Sequence, residues 1–400
     1  MFANEQDSPC FIELESQEEI LFKAIQSISE SLVNSLDPSK EANVLFSPTS
    51  VLFALLLLVN GTSQEAESRK EILNAFKFDL LEKNSTQCLD DVNNAVQALL
   101  NELLNRDGSI NLSKDRLADF EVANSVWGDK IRQTYTAQVK ELFTAEAFPS
   151  PENGKRVNTW IEEKTKGHLK NFFSDEQPFP NDTIMLINSV YFHGRWLFPF
   201  NPEDTIISSF STPSGKQIDA SMMHIEGKTW AYCERENYQV LNIPYKDYRF
   251  MATIVLPKEV LDFEKANEIM NPEEWKRVFL ERKMKSPGTV ILPKFDVERQ
   301  VELSKAFKNM GIKKVFDAGQ AKLSEMTEEP LAVDGVLHKC RIEVEEAGSK
   351  ASAATAIILT RSVMILGPPF HFECNRPFYF IISTNRGIPL FMSYIQTPSS

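Results

Sequence analysis

Cysteine and histidine are scarce in this chain of 400 residues, which has five of each. The cysteines are odd in number, scattered and without a Cys-x-x-Cys pair, at Cys10, Cys88, Cys233, Cys340 and Cys374. That pattern is typical of free thiols in a reduced compartment and argues against a disulfide framework. The histidines stand far apart, at His168, His193, His224, His338 and His371. They offer no metal-ligand spacing, so we expect no metal and no cofactor.

Motifs that carry catalysis are also missing. The sequence has no Gly-x-Ser-x-Gly, no His-Glu-x-x-His, no phosphate loop and no dinucleotide fingerprint. We therefore expect no catalytic residues and a protein that is not an enzyme. The alternative is an acidic hydrolase of an unrecognised type, which would need a nucleophile and base that no motif reveals.

Long apolar runs and excess positive charge are absent as well. The longest apolar run, residues 51–59, is far too short to span a bilayer, so it predicts a buried helix and no membrane insertion. A formal net charge of −13 argues against a nucleic-acid partner. The nearest basic patch, residues 282–285, is interpreted as a solvated helix end, and no glycosaminoglycan site is evident.

The first residues give two alternatives for localisation. Residues 1–14 include acids and a proline but no basic-then-apolar signal region. If Met1 is the native start, we expect a cytoplasmic protein; if the chain is a trimmed mature form, we expect an extracellular one. Asn-x-Ser/Thr triplets do not decide the matter because they arise often by chance, and they occur at Asn60, Asn84, Asn111 and Asn181.

What the sequence does contain is a stretch of small residues at 343–362. A strand-like run, residues 337–344, ends in acids and is followed by Gly348, which tolerates backbone angles that other residues avoid. From Ser349 to Ser362 there is neither glycine nor proline, so nothing there prevents the backbone from forming a strand inside a sheet. In strand form one face would carry a small or apolar set, at Ser349, Ala351, Ala353, Thr355 and Ile357.

Two other interpretations fit the same pattern. The stretch could be an exposed Ala/Ser linker, or it could begin an alanine-rich helix, since alanine is the best helix former. On the pattern alone these interpretations are favoured over the strand. The flanking sequence reverses that preference.

Motifs on both sides of the stretch resemble one known family. Before it stand Val336-Leu-His-Lys-Cys340 and Ile342-Glu-Val-Glu-Glu346, and after it Pro389-Leu-Phe-Met392. Further upstream, Asn43-Val-Leu-Phe-Ser-Pro-Thr-Ser50 and the run from Ile184 to Trp196 complete the pattern. With these motifs the chain resembles a serpin, a serine protease inhibitor that inserts a loop into its own sheet.

The resemblance implies an α+β fold in a single serpin domain over residues 1–400. It implies three β-sheets, one of them large and central, with about eight or nine helices around them. It also implies an exposed reactive-centre loop at 346–369 with a hinge at 346–356. The hinge residues that it assigns are Glu346, Gly348, Ser349, Ala351, Ala353 and Thr355.

Five further residues take roles from the resemblance alone. A polar cluster called the shutter lies beneath the central sheet where the strands part, at Ser47, Ser50, Asn188 and His338. Such a buried polar set must be mutually satisfied or it is costly. Trp196 packs at the breach, the point where the loop first enters the sheet. Ordinary core packing is the alternative for both sites.

The function that the resemblance implies is suicide inhibition of a serine protease by a monomer. Arg361-Ser362 is the favoured reactive bond because a basic side chain suits a trypsin-like pocket. The common family spacing instead selects Ser362-Val363, which would suit an elastase-like partner. Ala347 and Lys350 depart from the usual charged residue and glutamate of the hinge. The alternative is a non-inhibitory serpin that acts as a carrier, chaperone or storage protein.

Overall fold

The computed structural model describes residues 14–35, 42–76, 85–105, 118–180, 182–281, 283–347 and 367–398. Nine α-helices lie in these residues: α1 Ser16–Ser35, α2 Pro48–Gly61, α3 Glu67–Ala75, α4 Ser85–Leu103, α5 Gln133–Phe143, α6 Gly154–Lys164, α7 Phe263–Ile269, α8 Pro272–Leu280 and α9 Ser304–Asn309. The strands are β1 Val44–Phe46, β2 Ala118–Trp127, β3 Glu146–Phe148, β4 Ile184–Gly194, β5 Ile206–Ser211, β6 Gln217–Glu234, β7 Tyr238–Pro244, β8 Phe250–Pro257, β9 Met284–Pro293, β10 Phe295–Glu302, β11 Val333–Val344, β12 Phe370–Glu373, β13 Phe378–Thr384 and β14 Pro389–Ile395.

A five-stranded sheet forms the centre of the molecule, in the order β10-β11-β4-β2-β3. Its middle pair, β11 and β4, is parallel, whereas β10 and β2 run antiparallel to their neighbours β11 and β4. The β4–β11 ladder, called the seam below, runs from Val333 opposite Ile184 to Ile342 opposite Phe192. β4 is buried along nearly its whole length, as its continuous apolar run predicts for a strand covered on both faces.

The second sheet has nine strands and packs against the face of the central sheet that carries Phe192. Ring contacts from Phe192 to Phe250 and Phe391 join the two sheets. Its strand order is β1-β14-β13-β8-β7-β6-β9-β12, with β5 beside β6. β6 pairs with β9 on both sides of a register shift between Ile225 and Lys228. By hydrogen bonding, the described strands therefore form two sheets where three were expected. The nine-stranded sheet combines two of the expected three, because β6 and β9 pair on both sides of the register shift and so join them.

Helix α2 is buried along its full length and contacts both sheets. The helix begins as its sequence predicts, with Ser47 as the N-cap. The Ser47 Oγ accepts from the Ser50 backbone N–H at 3.1 Å. Pro48 occupies the first helical position, where a backbone N–H would have no partner within the helix. The apolar run at 51–59 lies inside this helix, so the prediction of a buried helix there is confirmed.

The opposite face of the central sheet is covered by α6. Trp160 of this helix meets Trp127 of β2 edge to face at 6.2 Å, and Phe148 of β3 stacks on Trp127 at 4.5 Å. The Trp160 indole N–H donates to the Glu146 carboxylate at 3.0 Å. The indole therefore keeps its hydrogen bond while its rings are buried.

The interpretation of residues 282–285 as a solvated helix end is wrong for Lys283, while Arg282 lies outside the described residues. α8 ends at Leu280, and the Lys283 ammonium donates to the backbone carbonyls of Val278 at 2.7 Å and Glu281 at 3.3 Å. Carbonyls at the end of a helix lack intrahelical partners and attract cations. Burial lowers the pKa of Lys283 to about 8.

The Asn60 triplet lies in the core. The Asn60 side-chain amide donates to the Leu56 carbonyl at 2.8 Å and to the Asn93 side chain at 3.0 Å. A buried and doubly bonded amide is not accessible for glycosylation. Asn84, Asn111 and Asn181 lie outside the described residues.

Among the described residues, no helix combines the length and apolar character needed to cross a bilayer. The same residues bring no three His, Cys, Asp or Glu side chains together as metal ligands. Cys233, Cys340 and Cys374 are free thiols, and burial raises the pKa of the Cys340 and Cys374 thiols well above the usual range.

Candidate functional site

The central sheet and the second sheet anchor the two ends of the predicted reactive-centre loop. β11 ends at Val344, and the chain is described again from Gly367, whose N–H donates to the Lys285 carbonyl at 2.8 Å. The chain then enters β12, which pairs in parallel with β9. The predicted residues between these ends lie outside the described residues: Gly348, Ser349, Ala351, Ala353, Thr355, Arg361 and Ser362.

The seam ends at the Ile342–Phe192 pair, and the chain beyond it is held by contacts of another kind. The Trp196 indole N–H donates to the Glu345 carbonyl at 2.9 Å, and the Phe200 N–H donates to the Glu346 carbonyl at 2.9 Å. We call Trp196, Glu345 and Glu346 the head of the seam. Here the backbone just after β11 no longer pairs with β4 in a ladder, and its carbonyls accept from Trp196 and Phe200, which follow β4.

The Glu346 carboxylate is fixed by two side chains. It accepts from the Lys294 ammonium at 2.8 Å and from the Thr205 hydroxyl at 2.9 Å. Burial acts to raise the pKa of Glu346, but the hydrogen bonds from Lys294 and Thr205 outweigh it, and the pKa is lowered. Of the six hinge residues that the resemblance assigns, Glu346 is the one that lies among the described residues, and its carboxylate is ionised and held in place at neutral pH.

Trp196 is 2% exposed and packs by its faces as well as by its N–H. Its ring stacks on Tyr245 at 4.5 Å and meets Phe200 edge to face at 6.3 Å. Large buried rings held by such contacts contribute beyond their buried area. The structure therefore places Trp196 beside the base of the predicted loop.

Ser47, Ser50, Asn188 and His338 are brought together midway along the seam. Asn188 of β4 and His338 of β11 are register partners, and their side chains meet at 2.5 Å. The Ser50 hydroxyl donates to Asn188 Oδ1 at 2.8 Å, and the Asn188 side-chain amide donates back to the Ser50 backbone carbonyl at 2.9 Å. Side chains from two strands and from the first turn of α2 thus form one network.

The contacts of His338 define its tautomer. The Ser47 backbone N–H donates to His338 Nε2 at 3.1 Å, so Nε2 is the acceptor and Nδ1–H donates to Asn188. Burial lowers the pKa of His338 to about 3. The imidazole is therefore neutral over the whole physiological range.

A fifth member of this network, Asn124, was missed in the sequence. Asn124 belongs to β2 and is the register partner of Asn188 in β4, and its Oδ1 accepts from the Asn188 side-chain amide. The available signal was a single amide inside the strand-like run 122–127. We call Ser47, Ser50, Asn124, Asn188 and His338 the mid-seam cluster.

A segment that follows α6 crosses the other face of the seam. The His168 ring stacks on Tyr191 of β4 at 3.9 Å. Arg341 of β11 donates to the His168 carbonyl at 3.1 Å, and Lys339 of β11 donates to the Lys170 carbonyl. Because this segment contacts both β4 and β11, the two strands can separate only if some of these contacts break.

A separate cavity of about 220 Å³ opens between α1, the α7–α8 region and β14. Its walls combine apolar rings with amide side chains, among them Phe22, Val33, Trp275, Gln26, Asn34 and Asn271. Such a mixture suits a small amphipathic molecule.

Comparison with known proteins identifies the family. The family model described as serpin, serine protease inhibitor, matches residues 23–398. Human Serpin B3 is 31% identical over 373 residues, which cover 87% of this chain and 91% of the relative. A serpin-like protein of Thermococcus kodakarensis is 30% identical over 396 residues, covering 96% of this chain and 87% of the relative. The chain belongs to the serpin family.

Solved structures agree with the fold. The native stressed form of Arabidopsis AtSerpin1 matches with a TM-score of 0.78 at 22% identity, covering 96% of this chain and 99% of the other. Human thyroxine-binding globulin matches with a TM-score of 0.77 at 23% identity, covering 95% and 100%. Members of the family are in general protease inhibitors rather than catalysts, and their partners are proteases.

Proposed function

We propose that this chain is a monomeric suicide inhibitor of a serine protease. The loop at 346–369, with its hinge at 346–356, is presented to the protease as a substrate. The protease serine attacks the scissile carbonyl, the peptide bond breaks, and the new amino terminus leaves while the carbonyl stays esterified to the enzyme. The freed segment after Gly348 then inserts into the seam and carries the tethered protease with it.

The observation that carries this proposal is the parallel pairing of β4 and β11 below a hinge of small residues. A segment that leaves β11 and turns back at Gly348 would run antiparallel to β11. Since β4 is parallel to β11, the same segment is antiparallel to β4 too. A single turn at Gly348 would therefore orient the segment to form antiparallel hydrogen bonds with β4 and β11 at the same time.

Insertion offers a large free-energy gain. Residues 349–361 in strand form would span about 40 Å at about 3.3 Å per residue. About a dozen ladder bonds at about 1 kcal/mol each give on the order of 10 kcal/mol. That gain is comparable with the whole stability of a domain, so the uncut form would be held by a kinetic barrier.

The partner that the sequence favours is a trypsin-like protease. Arg361 is the long basic side chain nearest the expected cut, and a buried carboxylate in the specificity pocket would recognise it. Cleavage at Ser362-Val363 by an elastase-like enzyme is the alternative. Incubation with trypsin and with elastase, followed by mass spectrometry, distinguishes them, because the new amino terminus is Ser362 in the first case and Val363 in the second.

The inhibitory mechanism itself is tested by an SDS-resistant complex. An inhibitor leaves a covalent adduct of protease and chain, whereas a mere substrate leaves only clipped chain. We expect Thr355→Arg to convert the adduct into clipped product, because position 355 would face inward in the inserted strand. Ala354→Arg is the matched control, since its side chain would face outward and the adduct should persist. Equal behaviour of both variants would contradict the mechanism.

A second candidate function is that of a small-molecule carrier, favoured by the 220 Å³ cavity beside α1 and α8. Thyroxine-binding globulin, which by its name binds thyroxine, has a similar fold. A fluorescent aromatic acid titrated onto the protein should quench Trp275 if the cavity binds such molecules. Binding without any covalent protease complex would favour the carrier over the inhibitor.

A further inference from the structure

His193 and Glu345 face each other across the open end of the seam. His193 is the residue of β4 directly after Phe192, where the ladder stops, and its Nε2 lies 3.7 Å from a Glu345 carboxylate oxygen. Their side chains are 13% and 30% exposed. Both point to the face of the sheet opposite the mid-seam cluster, because side chains alternate along each strand.

Glu345 has two contacts on the β4 side of the seam, one through its backbone carbonyl and one through its carboxylate. Its carbonyl accepts from the Trp196 indole, and its carboxylate lies beside His193. The Trp196 bond is independent of pH because an indole N–H does not titrate in this range. The contact from His193 is an ion pair only when the imidazole carries a second proton.

Other charged and titratable groups share this face. Tyr191 lies one alternation along β4, with its ring 6.5 Å from that of His193, and His168 stacks on Tyr191. On β11, Arg341 lies 3.9 Å from Glu343 and pairs with Asp296 of β10 at 2.6 Å.

We propose that His193 and Glu345 form a proton-controlled gate at the end of the seam where the loop inserts. The charged imidazolium holds Glu345 against β4 and slows insertion, whereas the neutral imidazole releases it. This proposal rests on the proposed inhibitory function. It adds that acid conditions favour the uninserted form.

The gate follows from the spacing of strands. Neighbouring strands lie about 4.8 Å apart, and a strand inserted between β4 and β11 would double that separation. A 3.7 Å contact across the seam cannot survive that change. Because the loop leaves β11 beside this contact, the pair must break in the first step of insertion. Partly exposed ion pairs are weak, so we expect a two- to five-fold effect on rate.

The test measures insertion without a protease, because protease activity itself depends on pH. A synthetic peptide with the sequence of residues 349–361 is added to the intact protein at pH 5.5 and pH 8.0 at constant ionic strength. Its annealing is followed by the change in tryptophan fluorescence and on native gels. We expect the native protein to anneal the peptide two- to five-fold more slowly at pH 5.5.

Two variants separate the gate from other titrating groups. His193→Lys carries a permanent charge and should anneal slowly at both pH values, whereas His193→Gln should anneal fast at both. His371→Gln is the matched control, since His371 pairs with Glu373 at 3.4 Å on β12 and should leave the pH dependence intact.

Three outcomes would overturn the gate. The pH dependence could persist in His193→Gln, or His193→Lys could anneal as fast as His193→Gln, or annealing could be independent of pH in the native protein. Each of these leaves the inhibitory function standing if the covalent protease complex still forms. Failure of the peptide to anneal at any pH, together with failure to trap trypsin or elastase, would overturn both proposals.

Discussion

The mid-seam cluster and the head of the seam hold the same two strands in different ways. At mid-seam, neutral side chains that are buried from solvent bond to one another across β4 and β11. At the head, the chain just after β11 is held by the ion pair of Glu346 with Lys294, which is 30% exposed, and by the Trp196 indole bond to the Glu345 carbonyl. Buried networks are costly to disrupt, whereas exposed pairs are weak. We therefore expect mid-seam to supply stability and the head to be the place where the strands first part.

The largest effect is expected from Asn188→Ala. The change leaves three buried groups without their Asn188 partner: the His338 Nδ1–H, the Ser50 hydroxyl and Asn124 Oδ1. Several unsatisfied buried groups should lower the free energy of unfolding by about 3–5 kcal/mol. Urea unfolding at pH 7 measures it.

Ser189→Ala is the matched control for that prediction. Ser189 is the next residue of β4, is equally buried and makes a single longer bond to the Ala123 carbonyl at 3.3 Å. Its replacement should cost less than about 1 kcal/mol. Equal losses for the two variants would mean that the network is no stronger than one bond.

The second prediction concerns the response of mid-seam to acid. The unfolded chain protonates histidine near pH 6.5, but His338 in the folded protein resists protonation until about pH 3. The unfolded state therefore binds more protons between these values, so stability is full above pH 6.5 and falls as the pH falls, by up to about 1.4 kcal/mol per pH unit. His338→Gln should be less stable at pH 7 but show a flatter slope from pH 6.5 to 4.5. An unchanged slope would show that other groups cause the acid response.

At the head of the seam we expect a smaller loss and a lower pH window. Glu346→Gln removes the charge that pairs with Lys294 while leaving an acceptor for Thr205, and it should cost about 1–2 kcal/mol. The lowered pKa of Glu346 means that this contribution is full above pH 4.5 and is lost progressively as the pH falls through the lowered pKa of the folded state. Tryptophan fluorescence during urea unfolding, at a series of pH values from 7 down to 2.5, measures both effects.

Glu343→Gln provides the control for Glu346. Glu343 is 33% exposed and lies 3.9 Å from Arg341, so its replacement should change stability by less than about 0.5 kcal/mol. A loss equal to that of Glu346→Gln would mean that general surface charge, and not the head of the seam, is responsible.

Apart from the controls, the smallest predicted effect is that of Thr205→Val. The variant keeps the shape of the side chain and removes the hydroxyl that donates to Glu346 at 2.9 Å. We expect a loss of about 0.5–1 kcal/mol at pH 7, and a smaller one at a pH low enough to protonate the Glu346 carboxyl, because a protonated carboxyl is a weaker acceptor. A loss that is equal at both pH values would indicate a packing effect instead.

Much of the fold was predictable because it depends on local sequence. The apolar run at 51–59 predicted a buried helix, and the continuous apolar run of β4 is typical of a strand covered on both faces. The interpretation of Lys283 failed because its partners are carbonyls at the end of α8, which no side-chain pattern reveals.

The candidate site was less accessible to the sequence. Ser50 and Asn188 are 138 residues apart and meet only through strand register, so no spacing connects them and the family resemblance had to suggest the pair. The Glu346–Lys294 and His193–Glu345 pairs depend on where the β4–β11 ladder stops, which sequence periodicity does not specify. The predicted reactive bond and most of the predicted hinge stay predictions, because they lie outside the described residues.

The placement of β13 and β14 has a consequence for any cut chain. Every residue of both strands is buried, and β13 pairs with β8 of the larger piece as well as with β14. A break anywhere between 348 and 366 therefore leaves a short carboxy-terminal fragment locked in place without a covalent link. Native mass spectrometry should weigh one intact particle, and only denaturation should release the small polypeptide.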